Sequence, residues 1–527
     1  MTANLDLFQD LLATDEAYYM IGGITLKGKM LKYWGPSYSL WYTIQALFER
    51  DTIKLYYLNQ KVVTIVPVLL CYIMLLRFRI KFIVSLLIPF FLLISLLYFP
   101  TWPKISHFCI GVVFASIIVS QSLKDNFSKW LTFSFAAFVL AYARPEFHLS
   151  VMLFVGVLLV WVFIKKFKLG KLQWLSVLLF FFLYTAASAL LGNIFVDSDS
   201  DRNIVAFAQH FSYNYAIWNN MDIRNWMDYD NIFAQHFGSA NSYGEVIKNN
   251  SPMFFKHIFS NLREYFYSLY IYATDIILPE KIFNLKASIR LILILISVVV
   301  VFVMARKTYF FERGSALLKE NLLTGAALLL LTLPTVISVI LIFPRNHYLI
   351  LQLPLFLFLI TLLFHKTESF KLSNIRVLSV VILGGILFLV TPKSSDFEYF
   401  NFWKGEQNTN NLKAIRIMKQ LSQNNEVRTT QSEGALGAFV LSKNFSVIQA
   451  ADFQDFEIMR HIKDSDINLV YCSTFLLKSP FIKKGVEEWQ YFINNPEEAG
   501  WVKVILTEGS REFLLVRSDL AKYLEQI

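Results

Sequence analysis

Cysteine is nearly absent from this chain, with three in 527 residues. Cys71 and Cys109 lie inside apolar runs and Cys472 stands alone far downstream, so there is no disulfide framework and no CxxC redox or metal motif. HExxH, a P-loop, a GxGxxG loop, internal repeats and low-complexity linkers are missing as well. Charge is sparse at 17%, and the bilayer-depth stretches described next carry almost none of it.

What fills the chain is apolar surface. Hydrophobic residues make up 55% of it, with 50 Phe, more than a soluble core of this length needs. Apolar runs of about 17 to 24 residues, enough to cross roughly 30 Å of hydrocarbon as helix, fall at 56–76, 80–98, 104–121, 129–144, 147–164, 173–196, 287–305, 322–343, 347–364 and 375–391. The sequence thus predicts an α-helical polytopic membrane protein of about ten spans. Pro67, Pro89, Pro334 and Pro354 sit inside these runs, where they kink a membrane helix without vetoing it.

Loop charges set the orientation. With residues 1–55 outside, the inner loops carry Arg77, Arg79, Lys81, Lys124, Lys129, Lys165, Lys166, Lys168, Lys171, Arg306, Lys307, Arg313, Lys319, Lys366, Lys371 and Arg376, while the short outer loops carry Lys104, Arg144 and Arg345. Sixteen against three is a strong positive-inside bias. It places outer loops 1–55 and 197–286 and everything from 393 onward on the extracytoplasmic side of a cell (inner) membrane. Because Met1–Thr14 contains neither a signal peptide nor an apolar span, a first helix upstream of Met1 is expected.

Ionisable residues within the spans, Lys61, His107, His148 and Arg290, lie near outer helix ends and leave the midplane uncharged. Ion-coupled transporters place binding groups near the midplane, so the pattern favours a site at the outer interface. Three clusters meet there: Asp15-Glu16, Arg144-Pro145-Glu146 and Arg345-Asn346-His347-Tyr348. An acid at a helix start is also ordinary capping chemistry, and a helix-end arginine also snorkels. Gathered on one face, however, a carboxylate can take a proton from a hydroxyl. Arg144 and Arg345, with Lys61 and Arg290 at the same level, can grip a lipid phosphate. His148 and His347 read as hydrogen-bonding helix-end residues, and no metal site is encoded. The net charge of +10 belongs to the membrane part, where it anchors loops at headgroups and does not signal nucleic-acid binding.

The run Asp15-Glu16-Ala17-Tyr18-Tyr19, Gly28 and Gly35-Pro36-Ser37-Tyr38-Ser39-Leu40-Trp41-Tyr42 resembles the first outer loop of the GT-C superfamily of polyprenyl-phosphate-sugar glycosyltransferases. Ala143-Arg144-Pro145-Glu146 and Pro344-Arg345-Asn346-His347-Tyr348, followed by Pro354, resemble its helix-end and late arginine-tyrosine motifs. Asn250-Ser251-Pro252, His257 and Asn261 resemble its run before the span that follows the long outer loop. Nearest in layout are bacterial enzymes of the protein O-mannosyltransferase and aminoarabinose transferase type. The resemblance implies transfer with inversion of a sugar from a polyprenyl phosphate to an acceptor hydroxyl of a glycan, lipid or protein. Asp15 and Glu16 would be catalytic. Arg144, Arg345, Lys61 and Arg290 would bind the donor phosphate, and Tyr18, Tyr38, Glu146, His148, His347 and Tyr348 the substrates. It calls for no cofactor; a divalent metal is optional in such a scheme.

Residues 1–392 are expected to form the catalytic membrane domain, with interfacial helices in its outer loops, including the aromatic run from Phe254 to Tyr272. The acidic residues Asp197, Asp199, Asp201, Asp222 and Asp228, with Trp218 and Trp226, either bind acceptor or face water. From 393 to 527 the pattern predicts an α/β domain with strands at Val427–Thr430, Phe445–Gln449, Asn468–Cys472, Val502–Thr507 and Glu512–Arg517 in a mainly parallel sheet. Gly434-Ala435-Leu436-Gly437 is too short for a nucleotide loop. The competing readings are a lipid-linked oligosaccharide polymerase or flippase, and a non-enzymatic membrane scaffold.

Overall fold

The computed structural model describes residues 10–11, 15–27, 35–80, 82–95, 98, 102–164, 169–192, 200–221, 229–278, 286, 288–296, 319–364, 410–430, 435–448, 457–477, 479, 482 and 484–524. Gly28, the acidic residues Asp197, Asp199, Asp222 and Asp228 with Trp226, Gly434, the span at 375–391, the second half of that at 287–305 and the boundary at 392/393 lie outside them. The chain forms two compact units. One comprises Leu31–Tyr38 and Lys61–Val390; the other comprises Thr2–Met30, Ser39–Gln60 and Thr391–Ile527.

Helices dominate. In chain order they begin with α1 (Asp15–Thr25), α2 (Pro36–Ala46), α3 (Thr52–Arg77), α4 (Phe82–Ile94), α5 (Ile105–Ser122), α6 (Asn126–Ala141), α7 (Phe147–Ile164) and α8 (Lys171–Leu191). They continue with α9 (Ser200–Trp218), α10 (Tyr229–Phe237), α11 (Tyr243–Ile277), α12 (Leu322–Leu341), α13 (Asn346–Leu349) and α14 (Leu353–Phe364). Among the described residues five of these, α3, α5, α7, α8 and α12, are long and apolar enough to cross a membrane. The first unit buries Cys71, Phe114, Phe133, Phe147, Phe154 and Leu328 in one core. By contrast α8 leaves Leu172, Leu175, Phe182 and Leu190 exposed, a face suited to lipid and not to water.

The long loop of the sequence is itself mostly helix. α9 and α10 pack Phe207, Phe211, Phe233 and Phe237 against Phe254 of α11. α11 breaks at Asn250, whose backbone is extended (φ −156°, ψ 74°). There the Asn250 side chain accepts from Met253 N at 3.2 Å, restarting the helix as a cap does.

In the second unit, α15 (Asn410–Asn424) and a five-stranded sheet form a C-terminal module. The strands are β1 (Val427–Thr430), β2 (Phe445–Ile448), β3 (Leu469–Cys472), β4 (Trp501–Ile505) and β5 (Phe513–Arg517), in the order β2-β1-β3-β5-β4. β1 runs parallel to β2 and β3, whereas β5 is antiparallel to both β3 and β4. The sheet is therefore mixed and not mainly parallel. The link between β4 and β5 is too short for the crossover that a parallel pair needs.

Candidate functional site

Asp15 and Glu16 open α1 side by side and meet opposite environments. Asp15 is exposed and Glu16 is 4% exposed. Helical geometry turns neighbours about 100° apart, which is enough to put one outside and one in. The Glu16 carboxylate accepts from the Tyr42 hydroxyl at 2.5 Å and from Asn59 Nδ2 at 3.1 Å. Asn59 Oδ1 in turn accepts from Trp41 Nε1 at 3.0 Å and Gln45 Nε2 at 2.7 Å. One buried carboxylate thus ties α1 to α2 and to the start of α3. Gly23 lets α1 and α2 touch: a Cβ there would lie 2.2 Å from the Ser39 carbonyl and 2.8 Å from Tyr42 Cβ. Tyr18 is half-buried on α1.

In the first unit the basic residues converge. Arg144 donates from Nε to Glu146 at 2.5 Å and from Nη1 to Ser106 at 3.2 Å, and lies 4.3 Å over the Tyr348 ring. Arg144 and Glu146 are only 11% and 12% exposed, and the pair brackets Pro145, which starts the turn into α7. Tyr348 packs edge-on against His347 at 4.2 Å. His347 lies within electrostatic reach of Lys104, Arg144, Arg345 and His107. The charge of Arg345, which is exposed, also reaches Lys104 and His210. Lys104 lies 3.9 Å over the Trp102 ring.

Sequence reading missed Lys104 and His210 as site residues. His210 is buried and stacks on Phe343 at 5.4 Å and 9°. Burial first, then the charges of Arg345 and His257, push its pKa down to about 3, so it is neutral at physiological pH. The signal was weak: His210 lies between Phe207 and Phe211 at helical spacing, which reads equally as plain core.

A second cluster holds the end of α12, just ahead of Arg345 in the chain. The last carbonyls of a helix have no partner within it, and at the end of α12 side chains of α11 supply them. Asn261 Nδ2 donates to Ile340 O and Ile342 O, each at 3.0 Å. His257 Nε2 lies 3.1 Å from Ile342 O, and Nδ1 lies 3.0 Å from Asn214 Nδ2. The Leu341 and Ile342 carbonyls favour the tautomer that donates from Nε2 and accepts at Nδ1, while Asn261 Nδ2 also lies 3.0 Å from Nε2. Asn214 also donates to Asn261 Oδ1 at 2.8 Å. Burial pushes His257 down to about 4 against the two carbonyls, so the ring stays neutral. Chain direction after α12 is thereby fixed three residues before Arg345.

Four other site candidates are placed as follows. Arg290 is fully buried, with Nη1 on the Asp275 carboxylate at 2.8 Å and the Leu278 carbonyl at 3.2 Å. Lys61 is half-buried on α3. Tyr38 is buried against Phe108 at 5.5 Å, beside Ser37, which bonds Tyr142 O and Val139 O. His148 Nδ1 lies 3.1 Å from Pro145 O. Among the described residues no three His, Cys, Asp or Glu side chains gather as metal ligands.

No known protein family matches the sequence, and no curated protein matches it. A solved structure to which the chain is similar is the crystal structure of ArnT from Cupriavidus metallidurans in the apo state. The identity is 11% over 98% of this chain and 96% of that chain, at a TM-score of 0.37. A likeness that loose transfers no role, and the chemistry rests on the residues above.

Proposed function

We propose that the chain is a membrane glycosyltransferase of the GT-C type that moves a sugar, with inversion, from a polyprenyl phosphate to an acceptor hydroxyl at the extracytoplasmic face. The observation that carries this reading is the Arg144 guanidinium, held by Glu146 and Ser106 over the Tyr348 ring that packs on His347, with the charges of Lys104 and Arg345 within electrostatic reach of His347. Such a group suits a lipid-anchored phosphodiester whose single negative charge grows to two as the polyprenyl phosphate leaves.

In this reading Glu146 and Ser106 fix the plane of the Arg144 guanidinium, which has five N–H donors in all, and Tyr348 supports it from one face. Clamping the phosphate stabilises the leaving anion as the glycosidic bond to it breaks. Asp15 accepts the proton of the acceptor hydroxyl as its oxygen attacks the anomeric carbon. Glu16, already held by Tyr42 and Asn59, shapes the helix that presents Asp15. Arg290 is neutralised by Asp275 and serves the fold, whereas Lys61 remains a candidate for the phosphate.

The test is transfer of radiolabelled sugar from polyprenyl phosphates to extracted acceptors in proteoliposomes. Asp15→Asn is expected to lower kcat by about a hundredfold or more, the scale of a lost general base, with little change in donor KM. Arg345→Ala is expected to raise donor KM. A flippase would move labelled lipid across the bilayer and transfer nothing; a scaffold would do neither. Either result refutes the reading.

A further inference from the structure

The C-terminal module has no role in the chemistry above, yet its contacts within the second unit converge on the helix that bears the acidic pair. Asp10, five residues before that helix, caps α15 from about 400 positions away in sequence: its carboxylate accepts from Asn411 N at 2.9 Å and Leu412 N at 2.8 Å. Asn411 Nδ2 returns a bond to Leu11 O at 2.8 Å. Two turns along α15, Lys419 pairs with Asp51 Oδ2, while Asp51 Oδ1 caps α3 through Ile53 N and Lys54 N, each at 3.1 Å. One helix of the module thus grips the chain on both sides of α1.

Between these grips a third element touches α1 itself. The short 3-10 turn Leu436–Phe439 packs against Asp15–Thr25. Its position is set from two directions. Thr52 Oγ1 donates to Phe439 O at 2.7 Å, and the Tyr56 ring meets Phe439 at 5.6 Å. Behind it, Gly437 lies so close to β2 that a Cβ would come within 2.7 Å of Val447 Cγ2. The Ala435-Leu436-Gly437 stretch, too short to cradle a nucleotide, has the small residue that this seat requires.

We propose that α15 and the Leu436–Phe439 turn are the positioning frame of the Asp15 helix, so that the C-terminal module acts on transfer through the placement of the acid. This inference rests on the reading of Asp15 as the base. Thr52, Asp51, Lys419 and Phe439 are positioning residues. Loosening them lets α1 open locally while the sheet behind stays folded, because a segment opens at a free energy set by the bonds that hold it, below that of global unfolding.

The experiment uses the full chain in proteoliposomes with the double variant Thr52→Val/Lys419→Met and its conservative counterpart Thr52→Ser/Lys419→Arg. Amide hydrogen exchange is followed over residues 15–25 and over β3 and β5, alongside kcat and donor KM. The disrupting pair is expected to speed exchange in residues 15–25 by about fivefold or more, the scale of removing one or two hydrogen bonds, with β3 and β5 unchanged. It is expected to lower kcat at constant donor KM, and the conservative pair to restore both.

Unchanged exchange over residues 15–25 overturns the proposal, as does faster exchange with kcat intact. Should the double variant lose protection in β3 and β5 too, Lys419→Met alone, at a pair that is 33% and 36% exposed, decides by the same comparison. A wild-type chain that transfers no sugar sinks the transferase reading, and the exchange arm still decides whether the module holds α1.

Discussion

Asn261→Leu removes both amide donors that reach the end of α12 and leaves the Ile340 carbonyl without its side-chain partner. An orphaned buried polar group costs about 1 to 3 kcal/mol, so thermal unfolding in detergent is expected to move down by several degrees. On the proposed transferase reading, in which the following Arg345 clamps the donor phosphate, donor KM is expected to rise with it. Asn261→Asp keeps the Oδ1 that Asn214 reaches but faces carbonyls with a carboxylate, and is expected to be no better than Leu. At this scale the place of both arginines just past a helix end was legible, because a charge at the end of an apolar run is visible in one sequence. Their partners were not. Glu146 lies two residues from Arg144 and could be guessed, whereas Tyr348, about 200 positions on, depends on how α6, α7 and α13 pack. Glu16 was legible as an acid and not as a buried one, since only the packing of Tyr42 and Asn59 distinguishes it from Asp15.

Helix ends explain the pH behaviour expected of the second unit. Burial pushes the Asp10 carboxyl up to about 6; bonds from the amides of Asn411, Leu412 and Leu11 pull it down, and the charge of Glu512 adds to the rise. An unfolded aspartate titrates near about 4. Below that both states hold the proton and Asp10 contributes no pH dependence. Between about 4 and 6 the folded state keeps a proton the unfolded state has released, so stability falls as pH rises, and above about 6 the full cost is present. Wild-type chain minus Asp10→Asn, compared by thermal unfolding across this window, isolates the effect from Glu512, whose hydrogen bonds hold it low and which acts in the opposite direction at lower pH. A wild type that instead gains stability relative to the variant between pH about 4 and 6 would show that capping the α15 dipole outweighs burial. The elements themselves were well foreshadowed: β1 matches the strand expected at Val427–Thr430 residue for residue, and α7 coincides with the apolar run 147–164. The sheet's direction was not, because a strand's sequence records burial and says little about which neighbour it pairs with. The amphipathic stretch of α11 was visible; its break at Asn250 needed the backbone.

At the level of the molecule, hydropathy and loop charge speak to what crosses the membrane and are silent on which distant segments fold together. Residues 10–11 and 39–60 join the C-terminal module through an aspartate cap, an ion pair and a threonine hydroxyl, none of which leaves a periodic trace. The sparse cysteines make this division measurable. Cys71 and Cys109 lie buried in the helical unit and Cys472 on β3 of the other, and burial raises the thiol of Cys472 far above its ordinary range, so its thiolate is scarce while folded. In a bilayer or detergent the helical unit keeps its backbone bonds satisfied by itself, whereas the sheet depends on water-driven burial that urea weakens. Maleimide labelling across a urea series is therefore expected to modify Cys472 at lower denaturant than Cys71 and Cys109, with exchange at residues 15–25 rising in step with Cys472. Labelling of all three at one midpoint would mean that the two units unfold as one. Protection of residues 15–25 that outlasts that of Cys472 would mean that α1 is held by something other than the module.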